Sequence, residues 1–131
     1  MRTSLVTPYI FSALLVIVSA NAGLIEMLGG HPFWSISVAW IGVPIGLALA
    51  IGAKSAGLGW RIRVIVFFVC LIAAYAAAFF GKQQFAASFA EDRLAGQFWY
   101  FGWIATGASL AATLTAAFTA LAKTLRPNKP R

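Results

Sequence analysis

The sequence predicts an all-α membrane protein with four transmembrane helices arranged as two antiparallel hairpins. The chain has 131 residues, of which 61% are hydrophobic and only 10% are charged. A soluble domain carries about 25% charged residues, so these side chains are too few to cover a water-facing surface. The apolar residues form four long runs separated by short polar breaks. Positive charges collect in alternate breaks, which is the pattern that orients membrane helices.

Each apolar run is long enough to cross a lipid bilayer as a helix. The predicted spans are residues 5–28, 33–53, 62–80 and 98–122. The longest polar break contains Phe85, Phe89 and Leu94, which alternate with polar residues at helical spacing. This spacing predicts a short amphipathic helix over residues 83–95, lying on the outer surface of the membrane.

The first run has two interpretations. Arg2, a short apolar core and the triplet Ala20-Asn21-Ala22 match the pattern of a secretory signal that is cleaved after Ala22. The apolar character resumes at Gly23–Leu28 and leads almost directly into the next run, which favours an uncleaved transmembrane helix. Both interpretations leave the topology of the other three helices unchanged.

The loop Lys54–Arg63 determines the predicted orientation, because it carries three positive charges and no negative one. Arg2, this loop and the tail hold eight of the ten Lys and Arg residues, whereas all three acids lie in or beside the other two breaks. Cationic loops are retained on the cytoplasmic side, so both termini are predicted to be cytoplasmic in a bacterial-type inner membrane. Residues 1–122 form a single transmembrane domain, and residues 123–131 form a basic, disordered cytoplasmic tail. The residues expected to set the topology and to contact anionic lipid are Lys54, Arg61, Arg63, Lys123 and Arg126.

Small residues recur at four-residue steps in the predicted spans. The clearest case is Gly42-Val43-Pro44-Ile45-Gly46, a GxxxG motif with a proline between the glycines. Such spacing lets two helix backbones approach closely, so these rows predict helix–helix contacts. The residues expected at such contacts are Gly42, Pro44, Gly46, Ala73, Ala77, Gly81 and Gly107.

A few polar residues are candidates for an ion, proton or polar path. They are Asn21, Glu26, Thr106, Ser109 and Thr113. A carboxylate at the membrane edge can carry a proton or a cation, and hydroxyls on one helix face can line a path or bond to the helix's own carbonyls. The chain has a single histidine and a single cysteine, so we predict no metal site, no cofactor and no disulfide within the chain.

A weak internal repeat relates two segments of the chain. Glu26, Phe33 and Trp34 recur at the same offsets as Glu91, Phe98 and Trp99. Parallel repeats of this kind occur in some transporters, but an aromatic pair is also what any membrane interface favours. The sequence leaves both explanations open.

Two functions are compatible with these features, and catalysis is not expected. The net charge of +7 sits at the ends of apolar runs, which indicates topology signals and lipid contact and not nucleic-acid binding. The first hypothesis is a non-catalytic accessory or scaffold subunit of a larger membrane complex. The alternative is a small oligomeric transporter or channel with a polar path near Asn21, Glu26 and the hydroxyl face of the last helix. The expected partners are the bilayer and either another membrane protein or a second copy of the chain.

Overall fold

A computed structural model describes residues 3–126, with side chains from residue 5 onwards. Over these residues the chain forms α-helices and no strand. The helices are α1 (Thr3–Asn21), α2 (Leu24–Met27), α3 (Ser35–Ser55), α4 (Trp60–Ala87) and α5 (Arg93–Thr124). The prediction of an all-helical protein is confirmed over this part of the chain.

Three of the helices are long and apolar enough to cross a membrane: α3, α4 and α5. At 1.5 Å per residue they span about 31, 42 and 48 Å, against a hydrocarbon core of about 30 Å. The described apolar part of α1, Leu5–Asn21, is shorter. These helices fit a membrane protein, and a fourth crossing by α1 stays a prediction.

Helix α5 lies at the centre of the bundle and contacts α1, α3 and α4. Ala39 and Val43 of α3 pack with Val16 of α1 and Ala111 of α5, in the largest cluster of buried residues. Two further clusters pair Val38 with Trp103 and Ala50 with Ala112, so α3 and α5 run parallel. Helices α1 and α4 run antiparallel to α5, as the pairs Phe11–Phe118 and Phe67–Ala112 show.

Glycines bring α5 into backbone contact with both α3 and α4. A Cβ atom at Gly42 would lie 2.7 Å from the carbonyl oxygen of Ile104, and one at Gly46 would overlap the carbonyl group of Ala108. On the opposite side, a Cβ at Gly102 would lie 2.7 Å from the backbone nitrogen of Ala78. Small residues allow this approach because they remove the side chains that normally separate helix axes.

The first predicted span, 5–28, is wrong at its end, because α1 stops at Asn21. Gly23 has a φ of +89°, in the left-handed region that a continuous helix cannot use. The chain restarts as the single turn α2 and then bends again at Gly29, whose φ is +111°. Residues 22–28 therefore form a folded connection between α1 and α3.

The predicted amphipathic helix over residues 83–95 is wrong. Helix α4 continues to Ala87, and a five-residue turn leads to α5, which begins at Arg93. Gly81 lies inside α4 and packs against the backbone of Trp99 and Ala95. The break comes instead at Phe89 and Ala90, which adopt positive φ values of 55° and 66°.

The other predicted boundaries differ by smaller amounts. Helix α3 runs from Ser35 to Ser55 where residues 33–53 were expected, and α4 begins at Trp60 where 62 was expected. Helix α5 contains residues 93–97 and extends to Thr124, so the first two residues of the predicted tail are helical. Residues 127–131 of that tail, like Arg2, lie outside the described residues.

Candidate functional site

Asn21 and Glu26 lie at the end of the bundle that also carries Trp34 and Trp99, which we call the aromatic end. Both side chains are exposed. The Asn21 amide donates a hydrogen bond to the carbonyl of Ile17 in its own helix, at 2.8 Å. The Glu26 carboxylate accepts a hydrogen bond from the Ser35 hydroxyl at 2.9 Å. Neither side chain points into the interior of the bundle.

The threonine hydroxyls of α5 bond within their own helix. Thr106 donates to the carbonyl of Gly102, and Thr113 donates to the carbonyl of Ser109, each at 2.7 Å. Thr115 donates to the carbonyl of Ala111 at 2.8 Å, and Thr119 donates to the carbonyl of Thr115 at 2.7 Å. Such bonds satisfy the donor of each hydroxyl without a partner on another helix.

In the cavities that the structure describes, the predicted path residues do not occur together. Of the described cavities, one of about 240 Å³ contains Thr106, and none contains Asn21, Glu26, Ser109 or Thr113. This cavity lies between α1 and α4, which do not approach each other within 8 Å between Cα atoms over the described residues. Apart from Ser19, Tyr75 and Thr106, its lining side chains are apolar.

A second, larger cavity of about 450 Å³ adjoins the first toward the aromatic end. The two share Leu28, Tyr75 and Trp103, and the larger one is also bordered by Lys82 and Gln83. The pair therefore forms a crevice that is apolar between the helices and becomes polar at the aromatic end.

Aromatic rings form a connected cluster at the aromatic end. The ring of Trp34 lies 5.2 Å from that of Trp99 and 5.4 Å from that of Tyr100, both edge to face. His31 stacks on Trp34 at 6.0 Å and meets the Trp99 ring at 5.7 Å. Edge-to-face pairs stabilise a fold by about 0.5–1.5 kcal/mol each beyond their buried area. The cluster thus fixes the start of α3 against the start of α5.

Two long-range hydrogen bonds hold the connection between α2 and α3. The Tyr75 hydroxyl of α4 donates to the carbonyl of Leu28 at 3.1 Å. The Trp99 indole of α5 donates to the carbonyl of Gly29 at 2.9 Å. The connection is therefore tied to both helices of the α4–α5 pair.

The segments of the weak repeat meet at the aromatic end. Trp34 and Trp99 lie side by side, and the parallel helices α3 and α5 follow them. The surroundings of the two segments differ, because α1 contacts both α3 and α5 whereas α4 packs mainly against α5. The common level of the two tryptophans fits both a repeat and an aromatic belt.

The predicted packing residues occupy different environments. Gly42, Gly46, Gly81 and Gly107 are buried at helix contacts, whereas Ala77 is half-buried. Pro44 and Ala73 are exposed on the surface of the bundle and lie outside these internal contacts.

Five of the seven described Lys and Arg residues lie at the opposite end of the bundle, the basic end, formed by the last turns of α3 and α5 and the first turn of α4. Lys54, Lys123 and Arg126 border a cavity of about 30 Å³ there. The Arg61 guanidinium lies over the Trp60 ring, 5.3 Å from its centroid. Arg63 differs from the other cations because only 5% of its surface is exposed.

Comparison of the chain with protein-family models, with curated proteins and with solved structures finds no match. Over the described residues, no group of three or more His, Cys, Asp or Glu side chains comes close enough to hold a metal ion.

Sequence reasoning missed two features of these ends. The complete burial of Ser35 beside Glu26 has no signal in the sequence, because it depends on the fold of the α2–α3 connection. The burial of Arg63 does have one. In the sequence, Arg63 precedes the aromatic residue Phe67 of the apolar run by four residues, so the two share a helix face, and the structure shows that this face is buried.

Proposed function

We propose that the chain is a non-catalytic accessory or scaffold subunit of a larger membrane complex. The observation that supports this most strongly is that the threonine hydroxyls of α5 are bonded within their own helix. A transporter or channel requires polar groups from several helices that converge on a cavity at membrane depth. The described cavity at that position is lined mainly by apolar side chains.

The internal packing supports the same proposal. Close backbone contacts at glycines hold α3 and α4 against α5. The aromatic cluster and two hydrogen bonds hold the α2–α3 connection in place. Alternating access in transporters generally needs one part of the bundle to move against another. A bundle with interlocked backbones is better suited to hold a fixed shape against a neighbour.

The proposed setting is a bacterial-type inner membrane, crossed four times, with both termini in the cytoplasm. Its support is the distribution of charge, because all three acids lie at the aromatic end and the basic end carries only cations among the described residues.

Cross-linking in the native membrane tests this function. Position 70 is exposed on α4, so a photoreactive amino acid incorporated there during synthesis samples that face without a labelling step in the hydrocarbon. Matched probes on other faces place the same amino acid at position 18 of α1 or position 41 of α3, two exposed positions. We expect one probe position to capture a single membrane protein that also co-purifies at fixed stoichiometry through two chromatographic steps.

The alternatives give different cross-linking results. Adducts with a second copy of the chain alone, together with a homogeneous homo-oligomer after purification, would favour the transporter or channel. Adducts with lipid alone from all three positions would contradict the accessory function.

A further inference from the structure

Arg63 has a polar atom that the described fold does not satisfy. The side chain is 95% buried, since only 5% of its surface is exposed, and its Nε–H group has no hydrogen-bond partner among the described residues. It is also the only buried side-chain nitrogen or oxygen over those residues without such a partner. Buried donors in native proteins are almost always paired, so an orphaned one indicates a missing acceptor.

The chain's carboxylate side chains cannot supply that acceptor. Glu26 lies in α2, Glu91 lies in the turn after α4, and Asp92 caps α5, so all three are at the aromatic end. A guanidinium is charged at all physiological pH values, and burying it without an anion is strongly unfavourable. An anion from outside the chain would remove this penalty.

The first turn of α4 adds a second set of donors beside Arg63. Gly59 precedes the helix in an extended conformation and provides no side-chain cap, and the first turn contains no acidic residue. The backbone N–H of Arg63 donates to the carbonyl of Gly59. The N–H groups of the three residues before Arg63 lie at the helix N-terminus, where the helix itself offers no acceptor. The helix dipole makes this end favourable for negative charge.

The side-chain direction brings the two features together. Long side chains in a helix point back toward its N-terminus, and this tendency directs the Arg63 side chain toward the first turn of α4. The face is fixed by Phe67, four residues later, which packs with Ala50 of α3 and Ala112 of α5. Arg63 thus lies on the side of α4 that faces the bundle.

We infer that a phosphate group binds at the basic end, between the Arg63 guanidinium and the first turn of α4. A phosphate matches the fork of guanidinium donors and a helix N-terminus better than a single-atom anion does. The phosphate belongs either to an anionic phospholipid or to a free phosphate compound. This site is independent of the accessory function, since it concerns one bound group and not a protein partner.

Titration of the purified full chain with lipid tests the site. The chain in uncharged maltoside detergent is titrated with phosphatidylglycerol, and binding is counted by native mass spectrometry. Diacylglycerol, which lacks the phosphate, controls for the acyl chains, and inorganic phosphate serves as the soluble probe. We expect one phosphatidylglycerol per chain to bind in preference to diacylglycerol. Saturation by inorganic phosphate at comparable concentration would instead identify the free compound as the source.

Substitutions assign the binding to Arg63. In Arg63→Met the affinity for the phosphate probe should fall about tenfold or more, because a charge-assisted hydrogen bond exceeds the roughly 1.4 kcal/mol of one factor of ten. Arg93→Met, at an exposed position on the opposite end of the bundle, should bind within about twofold of the unsubstituted chain. Arg63→Lys keeps the charge but loses the fork, so its affinity should be intermediate, and it gives the same test if Arg63→Met does not fold.

Two results would overturn the inference. The first is equal binding by the unsubstituted chain and the Arg63 variants, which would show a diffuse cationic surface. The second is the absence of any preference for phosphatidylglycerol over diacylglycerol together with no binding of inorganic phosphate.

Discussion

At the level of single residues, Gly46 makes the closest contact with a neighbouring helix among the glycines, against Ala108. The α3 backbone contacts the α5 backbone here with no side chain between them, and Gly42 repeats the contact one turn earlier. The glycine spacing predicted a close helix contact, but it could not say which helix lies opposite. That choice depends on the small residues of α5, where Gly107 and Ala108 leave room for α3.

Gly46→Ala should destabilise the bundle by about 1–3 kcal/mol, because the added methyl group would overlap the Ala108 carbonyl and force the helices apart. The free energy of unfolding can be measured by titrating the protein in mixed micelles with a denaturing detergent.

Gly52→Ala is the matched control for this prediction. Gly52 is also in α3, but a Cβ there would meet nothing within 4 Å. We expect its free energy of unfolding to stay within about 0.5 kcal/mol of that of the unsubstituted chain, or to rise slightly. Equal losses in the two variants would show that α3 does not pack on α5 through Gly46.

The hydrogen-bond partners of single polar residues were harder to predict from the sequence than the helix contacts of the glycines. The hydroxyls of Thr106 and Thr113 were visible as a helical row, yet the sequence could not tell whether they bond within α5 or across to another helix. Either arrangement uses the same spacing. The choice depends on whether a polar partner faces them, which is a property of the assembled bundle.

At the scale of elements, the junction between α4 and α5 departs most from the sequence prediction. The spacing of Phe85, Phe89 and Leu94 suggested one amphipathic face, but Phe89 is 91% exposed in a left-handed turn. Non-glycine residues rarely adopt positive φ, so a break at Phe89 and Ala90 is not expected from the sequence. The turn contains no glycine or asparagine that would signal it. Hydrophobic periodicity cannot detect a turn of this kind.

The start of α5 should depend on Asp92. Its carboxylate accepts a hydrogen bond from the backbone N–H of Ala95 at 3.0 Å, which caps the first turn. Asp92→Ala should lower the free energy of unfolding by about 1 kcal/mol and increase amide exchange at the first residues of α5.

Glu91→Ala is the control for the cap, because Glu91 is the neighbouring acid and is not the capping residue. Its effect should lie within about 0.5 kcal/mol. If both variants exchanged equally fast at the start of α5, the loss of negative charge and not the cap would explain the change.

At the scale of the whole molecule, the two ends of the bundle differ in chemistry. The aromatic end carries the three acids and the ring cluster around Trp34 and Trp99, whereas the basic end carries Lys54, Arg61, Arg63 and Lys123. The interior between the ends is packed through small residues and in-helix hydroxyl bonds. Such a molecule suits a fixed position across a bilayer.

The sequence was sufficient for the coarse description of the molecule. Its composition and long apolar runs predicted an all-helical protein, and three helices of membrane length are observed. The central position of α5 was not predictable, because every span has a similar apolar composition and the order of packing depends on side-chain shape. The number of crossings and the side of each terminus stay predictions based on charge.

Labelling of single cysteines determines whether the basic and aromatic ends face opposite sides of a membrane. In a Cys70→Ser background, Leu5→Cys and Ser55→Cys mark the basic end, and Met27→Cys and Glu91→Cys mark the aromatic end, all at exposed positions. In intact cells an impermeant maleimide should label only Met27→Cys and Glu91→Cys, and permeabilised cells should add the other two. Labelling of Ser55→Cys in intact cells, or of Met27→Cys and Glu91→Cys from opposite sides, would contradict the account.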